Sequence, residues 1–588
     1  MTRLCGNLPL AIQLVGNRLR HLPAWSVADL AQKLARSRRL TEIRAGNRAL
    51  VAAFDLSYHG LDSTQQQAFR RLGLYPGADI TPENAAALFG VSQVEAEKRL
   101  EELHDHHLIA EPRRGRYRFH DLIADYARLL AEDDPQTIRA ETQRRLFDFY
   151  LAAARAADRL MFPYHMPLMP DLSDLPEVSG LFDDQDSAIS WLNTELDNMR
   201  ALIRYAATHG WRRHSATLPH ALSRYLDLWG HWAEAAALHR DALVVWRELG
   251  DPAGEALAMA DLARMCWRTA QYDEALRLAS EALALQRARG NEHAVADLLE
   301  QHGLVHWHRA EYDVARDYAE KALDLRGRLG DRRGQGAALN LIGITLWHLR
   351  NNAAASQRLR EALALYRQDG DRRGQQVVLT NIGDIELELG HAAKALRHYE
   401  DARAMGPHLG AQQATLLNNI ANAYQCMDRY TEALDHYRDA LALYQRTGDR
   451  RSEADALNNI GRCYTRMGRD DRALIHHQQA LRIAVEISER YVQTHTLRNI
   501  GTIHHRAQRY DSALEHYRSS LERAKEISDI RQEADTLRDI GITMSSLGDV
   551  REARAHWRQS LALFEQLGLP EAAVVQEYLS GIDKATGS

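Results

Sequence analysis

The sequence predicts an all-α chain whose greater part is a helical solenoid. Three observations lead there: a pair of small residues returning at a fixed step, another small residue at a fixed offset before it, and polar links between the repeats. The first member of the pair falls at Ala235, Ala275, Ala315, Ala355, Ala395, Ala433, Ala473, Ala513 and Ala553, and the second seven positions on, from Ala242 to Ser560. The step is 40 residues except for the 38 between Ala395 and Ala433. A period of this length marks an array in which each repeat buries its apolar face only against its neighbours, and the stack offers a continuous surface to a partner.

Each repeat reads as two helices. Twelve residues before the first alanine stands Ala263, Gly303, Gly343, Gly383, Ala421, Gly461, Gly501 or Gly541, inside an apolar pattern such as Leu457, Ile460, Tyr464 and Met467. Small residues there let two helix backbones approach closely. A turn follows at Met467-Gly468-Arg469-Asp470, then a second helix with Ala473, Leu474, Ala480, Leu481 and Ile483 on one face, and a link such as Gly448-Asp449-Arg450-Arg451 joins one repeat to another. With Tyr272, Tyr312, Tyr430 and Tyr510 opening second helices, the pattern resembles the tetratricopeptide repeat. The usual repeat has about 34 residues; the longer step resembles the variety found in kinesin light chains and Pins-type adaptors. The resemblance implies a right-handed solenoid over residues 216–568, with a capping helix and tail at 569–588.

Composition narrows the class. The chain has 588 residues, too many for one compact core, and 45% apolar residues with only 14 prolines. Its apolar runs fall short of the roughly 18 residues of a membrane span, and Leu8 to Val15, interrupted by Gln13, lacks a signal-peptide cleavage site. Scattered Cys5, Cys266, Cys426 and Cys463 form no C-x-x-C, which favours a reducing cytoplasm. A net charge of −6 argues against bulk nucleic-acid binding.

The first 135 residues read differently. Asn47 to Tyr58, Ser63 to Leu72, Thr81 to Leu88 with a Thr81-Pro82-Glu83 cap, and Ser92 to His104 are predicted helices. Leu108 to Pro112 and Arg116 to Phe119 flank Gly115 as a hairpin. Helices followed by a small hairpin suggest a winged helix at 46–135. Ile138 to Arg159 and Asp184 to Thr208 are helical again, and Met161 to Leu181, with Pro163, Pro167, Pro170 and Pro176, reads as a loop, so 136–215 is a helical linker.

Cys5-Gly6-Asn7-Leu8-Pro9-Leu10 resembles the G-L-P-L motif of NB-ARC ATPases, and Phe119-His120-Asp121 their M-H-D motif. Ala52 to Tyr58 and Leu72 to Gly77 are similar to the bacterial AfsR-type branch, in which an NB-ARC switch precedes tetratricopeptide repeats. The resemblance implies that 1–45 is a remnant of the NB-ARC helical subdomain, that Pro9 packs near adenine and that His120 contacts the β-phosphate of ADP. Yet no G-x-x-x-x-G-K-[ST] occurs in the sequence, and phosphate binding needs that loop's backbone N–H groups and lysine. The chain therefore looks like the C-terminal portion of a STAND-class regulator, with no cofactor of its own; ADP or ATP would enter only with an NB-ARC core supplied in trans.

In the tetratricopeptide fold the first helices line the concave face. Three residues before the small residue come Asn340, Thr380, Asn418, Asn458, Arg498 and Arg538; one after come Ile344, Asp384, Asn422, Arg462, Thr502 and Ile542; a turn further come Arg466 and Arg506. Asparagine offers a donor and an acceptor to a peptide backbone and arginine pairs with carboxylates, so a protein or peptide partner with acidic side chains is expected on Asn340, Asn418, Asn422, Asn458, Arg462, Arg466, Arg498, Arg506 and Arg538. His104, His106 and His107 lack the further ligands of a metal site, the pairs His476-His477 and His504-His505 point to different helix faces, and no catalytic motif is found. The chain thus reads as a regulatory scaffold rather than an enzyme. The alternative is an AfsR-type DNA-binding transcriptional regulator acting through the winged helix, but Glu95, Glu97, Glu101 and Glu102 on Ser92 to His104 would repel phosphates.

Overall fold

The computed structural model describes residues 26–29, 58–162, 175–178, 180–406 and 411–586. Pro9 and the remnant expected at 1–45, apart from 26–29, most of the helix expected at Asn47 to Tyr58, and Pro163, Pro167 and Pro170 lie outside the described residues. The chain divides into two compact modules, Met1–Tyr225 with Ala233–Asn291, and Leu226–Trp232 with Glu292–Ser588.

The first module begins with three helices set by their caps. The carboxylate of Asp62 accepts the amides of Thr64 and Gln65 at the start of α1 (Ser63–Gly73). α2 (Pro82–Phe89) opens at the expected Thr81, in a reciprocal box with Asn84, and its Pro82 occupies a first-turn position where no N–H partner is needed. α3 (Gln93–Asp105) opens at Ser92, whose Oγ accepts the Glu95 amide at 3.3 Å. β1 (Ile109–Arg113) and β2 (Arg116–Phe119) then pair antiparallel. They turn at Gly115, whose φ of 71° a glycine adopts without strain. Tyr117 exchanges both backbone bonds with Ile80 at 2.7 Å, so an extended residue before α2 flanks the hairpin.

α4 (Asp121–Ala131) closes this body over a core of Phe69, Leu72, Leu88, Leu100, Leu103, Leu122 and Tyr126, all fully buried. Phe69 meets Phe119 edge-on at 5.4 Å. α5 (Gln136–Met161) and α6 (Gln185–Thr208, capped by Asp184) follow, and they share the hairpin's interior. Tyr150 of α5 donates its hydroxyl to Glu195 of α6 at 2.7 Å and lies 2.8 Å from the Tyr75 hydroxyl. Asn84 of α2 reaches both tyrosine oxygens, at 3.3 and 3.2 Å. Arg116 of β2 forms an ion pair with Glu195 at 2.8 Å. Asn198 donates to Glu195 and accepts the Ala78 amide. A buried polar network of this kind is stable only with its members paired, and it crosses the boundary expected at residue 135. α7 (Arg212–Leu228), α8 (Trp232–Leu249), α9 (Pro252–Arg268) and α10 (Tyr272–Ala288) continue the helical path.

The second module stacks seven helix pairs among the described residues. First helices are α11 (Glu292–His308), α13 (Arg332–His348), α15 (Arg372–Glu388), α17 (Ala411–Cys426), α19 (Arg450–Arg466), α21 (Arg490–Arg506) and α23 (Ile530–Ser546). Second helices are α12 (Tyr312–Arg328), α14 (Asn352–Gln368), α16 (Ala392–Ala404), α18 (Tyr430–Thr447), α20 (Asp470–Glu486), α22 (Tyr510–Glu526) and α24 (Val550–Gln566). α25 (Glu571–Thr586) packs on the last pair through Val575 and Leu579. α16 has 13 residues where α14 has 17, which is where the step shortens to 38.

Five first helices, α13, α15, α19, α21 and α23, are keyed to their partners by a glycine. A Cβ at Gly461 would stand 2.6 Å from the His477 ring, at Gly501 2.7 Å from Tyr517, and at Gly343 2.7 Å from Leu359, all on the paired second helix. Tyr399 and Trp557 fill the same place against Gly383 and Gly541. The glycine is therefore the socket for a large side chain standing four residues after the first alanine of the pair, and the two helices approach as closely as the sequence pattern predicts.

Candidate binding groove

First helices of neighbouring repeats touch directly, α11 with α13, α13 with α15, α19 with α21 and α21 with α23, whereas the second helices stand further apart. The first helices therefore form the inner side of the curve, and side chains three before and one after the small residue point along it.

The predicted residues fall into distinct environments there. Asn340 accepts the amide of Asn381 from the neighbouring repeat at 2.7 Å. Asn422 accepts the Tyr437 hydroxyl of its own repeat at 2.5 Å. Asn458 is 4% exposed and bonded to His477 at 2.9 Å and Asn499 at 3.0 Å, so it is a packing group more than a surface one. Asn418 keeps a buried carbonyl oxygen with no hydrogen-bond partner. Arg498 forms ion pairs with Asp539 at 2.7 Å and Asp535 at 3.6 Å; Arg538 pairs with the same two carboxylates. Their charge is thus balanced within the repeats. Arg506 binds Asp470 at 3.1 Å and the Thr465 carbonyl at 2.9 Å. Arg462 and Arg466 are exposed; Arg462 reaches the Asn459 amide oxygen at 3.3 Å.

Two columns of residues escaped the sequence reading. The first is an asparagine ladder two residues before the small one. Asn381 donates to Asn340, Asn419 to Asp384 at 2.8 Å, and Asn499 to Asn458, each crossing to the preceding repeat. Its signal was present in the recurring Asn-Ile before Gly or Ala at 381, 419, 459 and 499. The second is apolar: Leu304, Trp307, Trp347 and Leu387 join the expected Ile344 one or four residues after the small residue, all half-buried. The step of 40 from Trp267 through Trp307 to Trp347 was its signal.

Asp384 sits at the middle of the groove and accepts both Tyr399, at 2.7 Å, and Asn419. Burial pushes its carboxyl up to about 6, against the lowering effect of the Tyr399 hydroxyl. With the folded value above the unfolded one, the folded chain holds the extra proton, and this contribution to stability is lost as pH rises from about 4 through 6. Asp384→Asn keeps both hydrogen bonds. It is expected to be more stable than the parent by about 1–2 kcal/mol at pH 7, its partial exposure allowed for, and equal to it below pH 4. Thermal unfolding at the two pH values checks this; an equal gain at both would mean that charge is not the cause.

His120, expected near a phosphate, precedes α4: its carbonyl accepts the amides of Ile123 and Ala124 at 2.8 and 2.9 Å, and its Nδ1 is buried without a hydrogen-bond partner. The paired histidines are packing groups: His476 stacks on Tyr464 at 5.5 Å, His477 fills the Gly461 socket, His504 meets His516 at 5.2 Å and His505 binds the Thr543 hydroxyl at 2.9 Å.

The sequence profile of the tetratricopeptide repeat matches residues 294–368, 412–484 and 493–566. The repeats are tetratricopeptide repeats. Among curated relatives, regulatory protein AfsR of Streptomyces griseus is 37% identical over 275 residues, 46% of this chain and 28% of that protein. Regulatory protein AfsR of Streptomyces coelicolor is 40% identical over 217 residues, 34% of this chain and 21% of that protein. The matched stretch thus spans less than a third of either relative. A solved STAND (signal transduction ATPase with numerous domains) protein with a tetratricopeptide-repeat sensor, from Pyrococcus horikoshii, aligns at TM-score 0.47 and 15% identity, covering 82% of this chain and 66% of that one. Among the described residues no helix is long and apolar enough to cross a membrane.

Proposed function

We propose that this chain is the sensing portion of an AfsR-type STAND regulator. Its repeats bind a protein or peptide partner with acidic side chains along the first-helix groove, and the hairpin-bearing region acts as a winged helix that docks on protein. The reading rests on one observation above all. Arg462 and Arg466 stand exposed, with no ion pair to a carboxylate among the described residues, while the other groove arginines are paired. The identity of 37% and 40% to two AfsR proteins supports a regulatory role.

A nucleotide is assigned no step. The phosphate-cradling loop is absent from the sequence, and His120 alone supplies neither the backbone cradle nor the lysine that such a site needs. An NB-ARC core in trans is the arrangement in which a nucleotide would enter. DNA binding through α3 is disfavoured: Glu97 and Glu101 are exposed and Arg99 is held by Glu95 at 3.0 Å, leaving little charge to neutralise phosphates.

Random peptides displayed on phage and selected against the full chain are expected to be enriched in Asp and Glu. Arg462→Ala/Arg466→Ala should weaken the selected peptides about tenfold to a hundredfold, because a hydrogen bond to a charged group contributes roughly 1.5–3 kcal/mol when desolvated and less at a wet rim. The fold should survive, since both side chains are exposed. Peptides without acidic enrichment, or unchanged affinity in the double variant, would overturn the proposal.

A further inference from the structure

The groove changes character along its length, most plainly in the two columns one and four residues after the small residue. One and four residues after the small residue stand Leu304 and Trp307 on α11, Ile344 and Trp347 on α13, and Asp384 and Leu387 on α15. At the same places α17 carries Asn422 and Gln425, and α19 carries Arg462 and Thr465. The apolar members are half-buried and pack on the cores beneath them, so one side of each remains on the surface. Trp307 also has a buried indole Nε1 without a hydrogen-bond partner and a ring edge against His348 at 5.2 Å.

Charge follows the same division. Three residues before the small one, α11 carries Glu300, α13 Asn340, α17 Asn418 and α19 Asn458. Asp297, Glu300 and Asp331 gather around Arg326 at the apolar end, whereas α19 carries the exposed cations Arg462 and Arg466. An acidic ligand segment would be repelled at the first end and attracted at the second. Large half-exposed aromatic and aliphatic side chains in a row are what apolar anchors use.

We infer that the ligand is a peptide segment of two-part character, with apolar side chains seated on Leu304, Trp307, Ile344, Trp347 and Leu387 and carboxylates reaching Arg462 and Arg466. First helices in contact lie about 8–10 Å apart. The four steps from α11 to α19 therefore span roughly 32–40 Å, the reach of about eleven extended residues. The inference rests on the proposed groove function and adds to it the order of the two parts.

Three synthetic fluorescent peptides of about twelve residues test it on the full chain: one with leucines and phenylalanines at one end and aspartates at the other, one of the same composition interleaved, and one with serines replacing the apolar residues. Anisotropy is expected to show the two-part peptide binding at least tenfold tighter than the other two. A photo-crosslinker at its apolar end should label α11 and α13, and one at its acidic end α17 and α19. Ile344→Ser should weaken the two-part peptide and leave the serine peptide unchanged, and the peptide series carries the test if that variant folds poorly. Equal affinity of the interleaved and two-part peptides, or crosslinks in the reverse order, would overturn the inference while leaving acidic recognition standing. Failure of all three to bind would overturn both.

Discussion

Glu195→Ala is expected to remove about 3–5 kcal/mol from the stability of the first module, the cost of breaking a buried ion pair from one side. Glu195 is 2% exposed and serves Arg116, Tyr150 and Asn198 together. Without it the guanidinium of Arg116 keeps only Asp79, at 3.3 Å, and the Tyr150 hydroxyl loses its carboxylate acceptor in a site closed to water. Because the four groups come from β2, α5 and α6, the loss should reach the hairpin as well as the helices that follow it. Hydrogen exchange should show protection falling together at Arg116–Phe119, around Tyr150 and around Glu195. Replacing Arg116 by methionine in the same chain should recover part of the loss, since removing both charges leaves none uncompensated. A fall confined to α6, or a loss well under 1 kcal/mol, would show that the network does not join these elements.

Trp557→Ala carries a comparable cost with a different reach. The indole is 4% exposed, fills the Gly541 socket, donates to the Arg538 carbonyl at 3.1 Å and stacks on Tyr578 of α25 at 5.1 Å. Truncating such a ring leaves a cavity worth about 3–5 kcal/mol. In a stack held by neighbour contacts, the damage should stay at the end where it is made. α23, α24 and α25 are therefore expected to lose exchange protection while α19 to α22 keep theirs. Uniform loss along the second module would mean that its repeats melt as one body.

The helices and their pairing were legible because both depend on local spacing. Thr81, Ser92 and Asp184 announce their helices by side-chain chemistry within a turn, and a glycine recurring at 40 residues can be read as a close approach before any coordinate is known. The asparagine ladder was harder, since Asn381, Asn419 and Asn499 each find their partner in another repeat, and a single sequence does not say which residues of neighbouring repeats stand level. The same limit applied to Arg498 and Arg538. Their residue type suggests free cations, but Asp535 and Asp539, which balance them, reveal themselves only once α21 and α23 lie side by side. Tyr75, Tyr150 and Glu195 are further apart still and share no periodicity, so nothing short of the folded module brings them together.

The glycine socket and its filler belong to one repeat, whereas the asparagine rung joins two. A whole repeat removed in frame carries its own key away with it and leaves neighbouring keys untouched. Deleting residues 450–489 would place Asn499 where Asn459 now stands and so keep an asparagine at that rung. Loss or duplication of a 40-residue segment is then a small genetic change that preserves the fold and alters the length of the groove. The groove can thus lengthen or shorten in whole increments of one repeat, each remaining repeat keeping its own pair of helices.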